Sequence, residues 1–196
     1  MHVFPKIRVK ATSPYAVFVE KSYEHNGSEG TWTYITRRRI SKDGEGLGKD
    51  SRAVVIVAQT TSGEYLLNKE FRVPLSGYNL SFPAGLIDEG ETPEQAAVRE
   101  LSEETPFRVI SVDHVSPTLA SSPGITDEMI YMVRCTVEPD PEGHSRGVSE
   151  DIETFLVKDL NDDRIPTGPD VSWGVKAWLE LYHRTMVRSG GYAPGG

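Results

Sequence analysis

Residues 85–107, GLIDEGETPEQAAVRELSEETPF, constrain this chain more than any other stretch. They read as a turn running into one helix. Thr92 is a suitable N-cap and Gln95 follows three residues later, which makes a capping box. Pro93 takes the first helical position, where its missing N–H costs nothing. Glu91 and Glu94 lie near the positive end of the helix dipole. Ala96, Ala97, Val98 and Leu101 supply an apolar side. On the other side Glu100, Glu103 and Glu104 stand at i, i+3 and i+4, so three carboxylates project from one face. Like charges at that spacing repel by about 0.2–0.5 kcal/mol per pair, and Arg99, four residues before Glu103, relieves only part of it. A lone acidic run of this kind is ordinarily a solvated face. A hard divalent cation would relieve the repulsion further, because such ions prefer carboxylate oxygens and keep water and substrate phosphates as additional ligands.

The spacing around the helix decides between these readings. Gly85, five residues, Glu91, seven residues and then Arg99-Glu100-Leu101-Ser102-Glu103-Glu104 resembles the Nudix box, with one departure. Pro106 stands where the box has Gly, and Phe107 takes the final apolar position. A Gly there ends the helix in a left-handed conformation. Proline cannot adopt it and biases Thr105 away from helix, so the exit path is expected to differ and Glu104 is the carboxylate most exposed to that change.

The resemblance implies an α+β fold of the Nudix type, a mixed β-sheet sandwiched between helices. It also implies hydrolysis of a nucleoside diphosphate linked to another moiety, with Mg²⁺ or Mn²⁺, two or three ions per site. Further stretches are similar to the ADP-ribose/ADP-sugar pyrophosphatase branch: Glu70-Phe71-Arg72-Val73-Pro74, residues 81–88, the box interior Gly90-Glu91-Thr92-Pro93-Glu94, and Ser122-Pro123-Gly124-Ile125-Thr126-Asp127-Glu128. The likeness spans roughly residues 14 to 185. That branch implies cleavage of ADP-ribose or a related ADP-sugar to AMP and a sugar phosphate. By the same resemblance the Ala84 carbonyl, Glu100 and Glu104 hold metal. Glu103 joins them or orients water, and Arg99 braces the cluster. Arg72 reaches the diphosphate or terminal ribose. Trp32 stacks on adenine and Arg37 contacts phosphate or ribose. A carboxylate outside the helix takes the proton, either Glu150 or Glu128. Two alternatives stay open: a Nudix hydrolase of another nucleoside diphosphate derivative, and a non-catalytic ADP-ribose-binding Nudix-like domain.

The rest of the chain fits one good-sized domain of 196 residues with a small appended element. A net charge of −8 argues against a nucleic-acid surface built on bulk electrostatics, so phosphates must be drawn in locally. The single cysteine, Cys135, lies in an apolar run and permits no disulfide within the chain, which fits a reducing, cytoplasmic setting. Neither a signal peptide nor a run of membrane-spanning length is visible.

In order, residues 1–12 are mixed in character and interrupted by Pro5. Residues 15–22 (YAVFVEKS) and 31–40 (TWTYITRRRI) read as a hairpin about the turn cluster 25–30. Its alternation places Arg37 and Arg39 on one face and Arg38 on the other. Residues 41–51 are a Gly- and Asp-containing linker, dividing an N-terminal β-element (1–50, dimerisation and substrate contact) from the hydrolase domain (51–188). A loose tail (189–196) follows. Within the domain, strands are expected over 53–59, 63–72, 107–115, 129–137 and 153–157, with 78–82 leading into the box. Residues 121–128 and 138–148 are expected loops, and a helix is expected from 170 to about 187, on the spacing of Val171, Val175, Trp178, Leu179 and Tyr182. In the resembled branch the N-terminal elements pack across a two-fold axis, so a homodimer is expected, and C2 dimers are the commonest oligomer.

Overall fold

The structure, a computed structural model, describes residues 1–40, 52–142 and 151–191. The expected linker 41–51, part of the loop 138–148, Glu150 and the end of the tail lie outside the described residues. The first strands are β1 (His2–Thr12), β2 (Val17–His25), β3 (Ser28–Thr36), β4 (Arg52–Thr60) and β5 (Tyr65–Arg72). A 3₁₀ turn over Val73–Leu75 leads to β6 (Gly77–Ser81), β7 (Ala84–Leu86) and the helix α1 (Pro93–Glu104). Then come β8 (Phe107–Val115), β9 (Leu119–Ala120), β10 (Met129–Pro139), β11 (Ile152–Val157), β12 (Val171–Trp173) and the helix α2 (Val175–Arg188). The chain forms two compact units, Met1–Ala53 with Pro117–Tyr131, and Val54–Ser116 with Met132–Gly196.

The first unit is built on an antiparallel meander, β1-β2-β3. Asn26 and Gly27, with φ of 52° and 75°, make the two-residue turn between β2 and β3, where His25 faces Ser28. Asn-Gly is favoured there because both central residues need positive φ. Ile7, Val17 and Val19 form the buried core, with Tyr34 and Ile40 packed against it. Two expectations are corrected. His2–Thr12 is one strand despite Pro5. β1 is an edge strand, where a missing N–H is tolerated, and its register shifts between Val3 and Ile7. The return strand stops at Thr36, so Arg37, Arg38 and Arg39 follow the strand instead of alternating along it. The 121–128 segment belongs to this unit. Ile35 N–H donates to Ile125 O at 2.8 Å, and Trp32 Nε1 donates to Gly124 O at 3.3 Å.

The second unit carries the mixed sheet, in the order β12-β6-β5-β4-β10-β8, with β11 pairing on β5 and β7 on β4. Val54, Ile56, Val57, Leu66, Leu67, Leu80 and Val133 form its fully or nearly fully buried centre, as continuous apolar runs in central strands demand. The capping box of α1 is present: Thr92 Oγ1 accepts from Gln95 N–H, and Gln95 Oε1 accepts from Thr92 N–H. Ala96, Ala97 and Leu101 face inward, and α1 packs on β7 and β8. Val98, expected on the apolar side, is exposed. The C-terminal helix begins later than its spacing suggests. Residues 171–173 are the strand β12, parallel to β6, and Gly174 N–H donates to Leu80 O at 2.8 Å. This pairing with a distant strand outweighs the local helical pattern. α2 packs on β6; Ala177 and Leu181 are its buried residues, whereas Val175, Trp178, Leu179 and Tyr182 are exposed. No helix among the described residues is long and apolar enough to cross a membrane.

Candidate active site

The site is built where β7 meets α1. Gly85, in β7, lies against the Glu100 carboxyl group so closely that a Cβ there would overlap its carboxyl carbon and both oxygens. Any side chain at position 85 would make the Glu100 carboxyl group move, whereas the backbone angle makes no demand for glycine. Glu100 is mostly buried, and that burial raises its carboxyl pKa above the ordinary range, despite the hydrogen bond from Arg99.

Arg99 organises the acidic helix. Its Nε and Nη2 donate to Glu91 Oε1 and Oε2 at 2.8 and 2.9 Å, the bidentate geometry that suits a guanidinium. Nη1 donates to Glu100 Oε1 at 2.8 Å and Glu103 Oε2 at 3.3 Å. Nη2 also reaches Leu86 O at 2.9 Å, tying the helix to the end of β7. Arg99 is held protonated, chiefly by Glu91 and then Glu100. The Arg99 hydrogen bonds, with one from the Asp88 backbone N–H, push the Glu91 carboxyl down to about 2. The sequence placed Glu91 near the helix dipole and at a fixed position of the box; the structure adds that it braces Arg99. Among the described residues, no three His, Cys, Asp or Glu side chains converge on one point as they stand, and Arg99 holds Glu100 and Glu103 through one nitrogen.

Glu104 is the last residue of α1. Its Oε2 accepts from Asn68 Nδ2 at 3.0 Å. The helix stops without glycine. Thr105 is extended, with φ −135° and ψ 156°, and its N–H donates to Leu101 O. Thr105 Oγ1 donates to Leu101 O at 2.7 Å and accepts from Phe107 N–H at 3.2 Å. One buried hydroxyl thus caps the helix and anchors the exit strand. Asn68 and Thr105 escaped sequence reasoning, although a carboxamide inside the apolar run YLLN was a visible signal.

The remaining expected residues fall as follows. Ala84 begins β7. Arg72 ends β5 and pairs with Glu70 at 2.7 Å. Together with Arg99, Glu100, Glu103 and Glu104 they belong to the second unit. Trp32, Arg37 and Glu128 belong to the first, where Arg37 lies 3.4 Å from Glu128. Trp32 is 54% exposed and borders a cavity of about 570 Å³ with Tyr23, Tyr34, Pro123, Asp127 and Glu128. Glu150 lies outside the described residues.

Comparison with known proteins places this geometry. The NUDIX domain family matches residues 49–179. The chain is 35% identical over 129 residues to a Mus musculus protein named ADP-sugar pyrophosphatase, covering 65% of this chain and 58% of that protein. It is 39% identical over 121 residues to a Saccharomyces cerevisiae ADP-ribose pyrophosphatase, covering 59% and 48%. The matches thus span about half to three-fifths of these relatives' lengths. A solved structure described as an ADP compounds hydrolase aligns over 98% of both chains with a TM-score of 0.65 at 20% identity, which establishes the shared α+β fold. With the family match covering well over half its length, the chain belongs to the Nudix family.

Proposed function

We propose that this chain is a divalent-cation-dependent hydrolase that cleaves the diphosphate of ADP-ribose or a related ADP-sugar, giving AMP and a sugar phosphate. The observation that carries this reading is the fit of Gly85 against Glu100 at the head of an acidic helix face braced by Arg99. The names of the mouse and yeast relatives support the substrate class.

The residues fit a hard cation. The donor set is carboxylate oxygen with a backbone carbonyl, the chemistry Mg²⁺ and Mn²⁺ prefer. Glu100 is costly to ionise where it is buried, and a bound cation would offset that cost. Ala84 O, Glu100, Glu103 and Glu104 would hold the metal, two or three ions in all. When bound, such ions neutralise diphosphate charge and lower the pKa of bound water.

The protein's own groups do the rest. Arg99 keeps Glu100 and Glu103 on one side of the helix. Glu103 orients water, and Glu128 or Glu150 accepts its proton as general base. Arg72 holds the diphosphate or terminal ribose. Trp32 offers its exposed ring to adenine, and a flat indole buries a large area at low entropic cost. Arg37 contacts phosphate or ribose. The N-terminal β-element, through residues 14–40, is the dimerisation surface of a homodimer. Tyr15 and Phe18 on it are exposed, apolar area that a second copy would cover. Light scattering at micromolar concentration should give twice the chain mass, and a monomer would overturn the dimer.

The test is a hydrolysis screen across ADP-ribose, ADP-glucose, GDP-mannose, NADH and diadenosine polyphosphates, with and without Mg²⁺. ADP-ribose and ADP-sugars should be cleaved only with the cation. Glu104→Gln should lower kcat by about 10²–10⁴-fold, in the range expected for loss of an ionic ligand or proton-transfer group. Preference for a non-adenine substrate would replace the substrate class, and binding of ADP-ribose without turnover would replace the enzyme reading by that of a binding domain.

A further inference from the structure

We infer that Asn68 is a positioning residue that fixes the Glu104 carboxylate from the strand side, compensating for a helix end that lacks glycine. The inference rests on the proposed cation site. Asn68 lies in β5, between backbone partners Thr154 of β11 and Ser81 of β6. It is 2% exposed and follows the buried pair Leu66 and Leu67. A carboxamide in such a place is costly unless both its ends are satisfied. Both are. Nδ2 donates to Glu104 Oε2 at 3.0 Å, and Oδ1 accepts from Thr154 Oγ1 at 3.1 Å.

Chemistry fixes the direction of this relay. An ionised carboxylate can only accept, so the amide nitrogen must face Glu104 and the amide oxygen must face Thr154, whose hydroxyl donates. Reversing the amide would set its oxygen against the carboxylate, two acceptors face to face, whereas the Thr154 hydroxyl could pair with either end. The relay therefore holds one Glu104 oxygen at a defined place while adding no charge to the site. A lysine or arginine at position 68 would neutralise the carboxylate, and an aspartate would repel it.

The need for such a device lies at the end of α1. Glu104 is the final helical residue and Thr105 is already extended, so no further turn of helix restrains its side chain. Pro106 has no N–H to offer the last carbonyls. Thr105 secures the backbone stop through Leu101 O and Phe107 N–H, and Asn68 secures the carboxylate. Residues that orient a metal ligand typically change affinity about 10–100-fold when removed.

The experiment is Mn²⁺ titration of the full chain without substrate, read by electron paramagnetic resonance and calorimetry. The variants are Glu104→Gln, Asn68→Ala, Asn68→Asp and Thr154→Val, each with its melting temperature. Mn²⁺ affinity should fall about 10–100-fold in Asn68→Ala, further in Asn68→Asp, and by an intermediate amount in Thr154→Val. In turnover, Asn68→Ala should lose kcat with little change in substrate KM and regain it at high Mn²⁺, which a general loss of stability would not produce. If Asn68→Ala does not fold, Thr154→Val decides the matter. Weakened Mn²⁺ binding in Glu104→Gln, with wild-type affinity in the folded Asn68 or Thr154 variants, would overturn the positioning role and leave the cation site standing. Unchanged Mn²⁺ binding in Glu104→Gln would overturn the cation site itself.

Discussion

Gly85 and Glu100 share one space: the volume that a side chain at Gly85 would fill is occupied by the Glu100 carboxyl group. Gly85→Ala should therefore displace Glu100 while leaving the strand β7 and the capping box of α1 in place. A misplacement of about 1 Å at a reacting centre costs on the order of 10²-fold in rate, and a loss of that size in kcat is expected, with a Tm close to wild type. Wild-type turnover in Gly85→Ala would show that Glu100 need not stand where it does.

Trp32→Ala should raise KM for ADP-ribose far more than it lowers kcat. Stacking on a base is made equally in the ground and transition states, so it is uniform binding. The aromatic pair alone accounts for about 0.5–1.5 kcal/mol, a rise of about two- to tenfold in KM, plus whatever buried area is forfeited. Steady-state kinetics decide it: a fall in kcat at constant KM would remove Trp32 from base recognition.

Thr105→Val keeps the shape of a buried side chain and deletes its hydroxyl. Leu101 O keeps the Thr105 N–H, but Phe107 N–H loses its acceptor. A buried group left without a partner costs about 1–3 kcal/mol, and for a chain of this size each kcal/mol lowers Tm by roughly 2–4 °C. Thr105→Ser retains the hydroxyl and should lose less. Equal melting temperatures for the two variants would assign the helix stop to Pro106 alone.

Asp162 and Arg164 form a second test, away from the site. Asp162 accepts from the Arg164 side chain at 2.8 and 2.7 Å and from the Lys158 and Arg164 backbone N–H groups. The Arg164 guanidinium, ahead of those backbone bonds, holds the Asp162 carboxyl far below its usual pKa of 3.8. A depressed folded-state pKa contributes stability that is complete above the unfolded value and is lost as pH falls through the folded one. Asp162→Asn should thus lower Tm at pH 7, and its deficit against wild type should shrink below about pH 3.8. A deficit that is the same at pH 7 and pH 3 would refute the linkage.

The helix α1 was legible apart from the exposed Val98, because its cap, its first-turn proline and its carboxylate face are all encoded within one short stretch. So were β8, predicted over 107–115, and the buried β4, whose apolar run AVVIVAQ needs no partner to be recognised. What escaped depends on partners far along the chain. β12 has a helical pattern of its own and becomes a strand because β6 offers it a parallel edge. β1 contains a proline and survives because it pairs on one side only. Asn68 looks misplaced in its strand until Glu104 and Thr154 are folded against it. The spacing of Trp178, Leu179 and Tyr182 announced a helix, but the buried positions are Ala177 and Leu181.

The hydrogen bond from Trp32 to Gly124 also sets an order of events in a growing chain. Its acceptor is synthesised 92 positions after its donor. At about 5–20 residues per second that is a wait of roughly 5–18 s. The meander β1-β2-β3 can pair as soon as it emerges, but through that interval Ile35 and Trp32 have no Ile125 or Gly124 to meet. The meander is made well before the segment that completes its unit, and while it waits, an exposed edge and an indole ring are open to whatever chaperone attends the nascent chain.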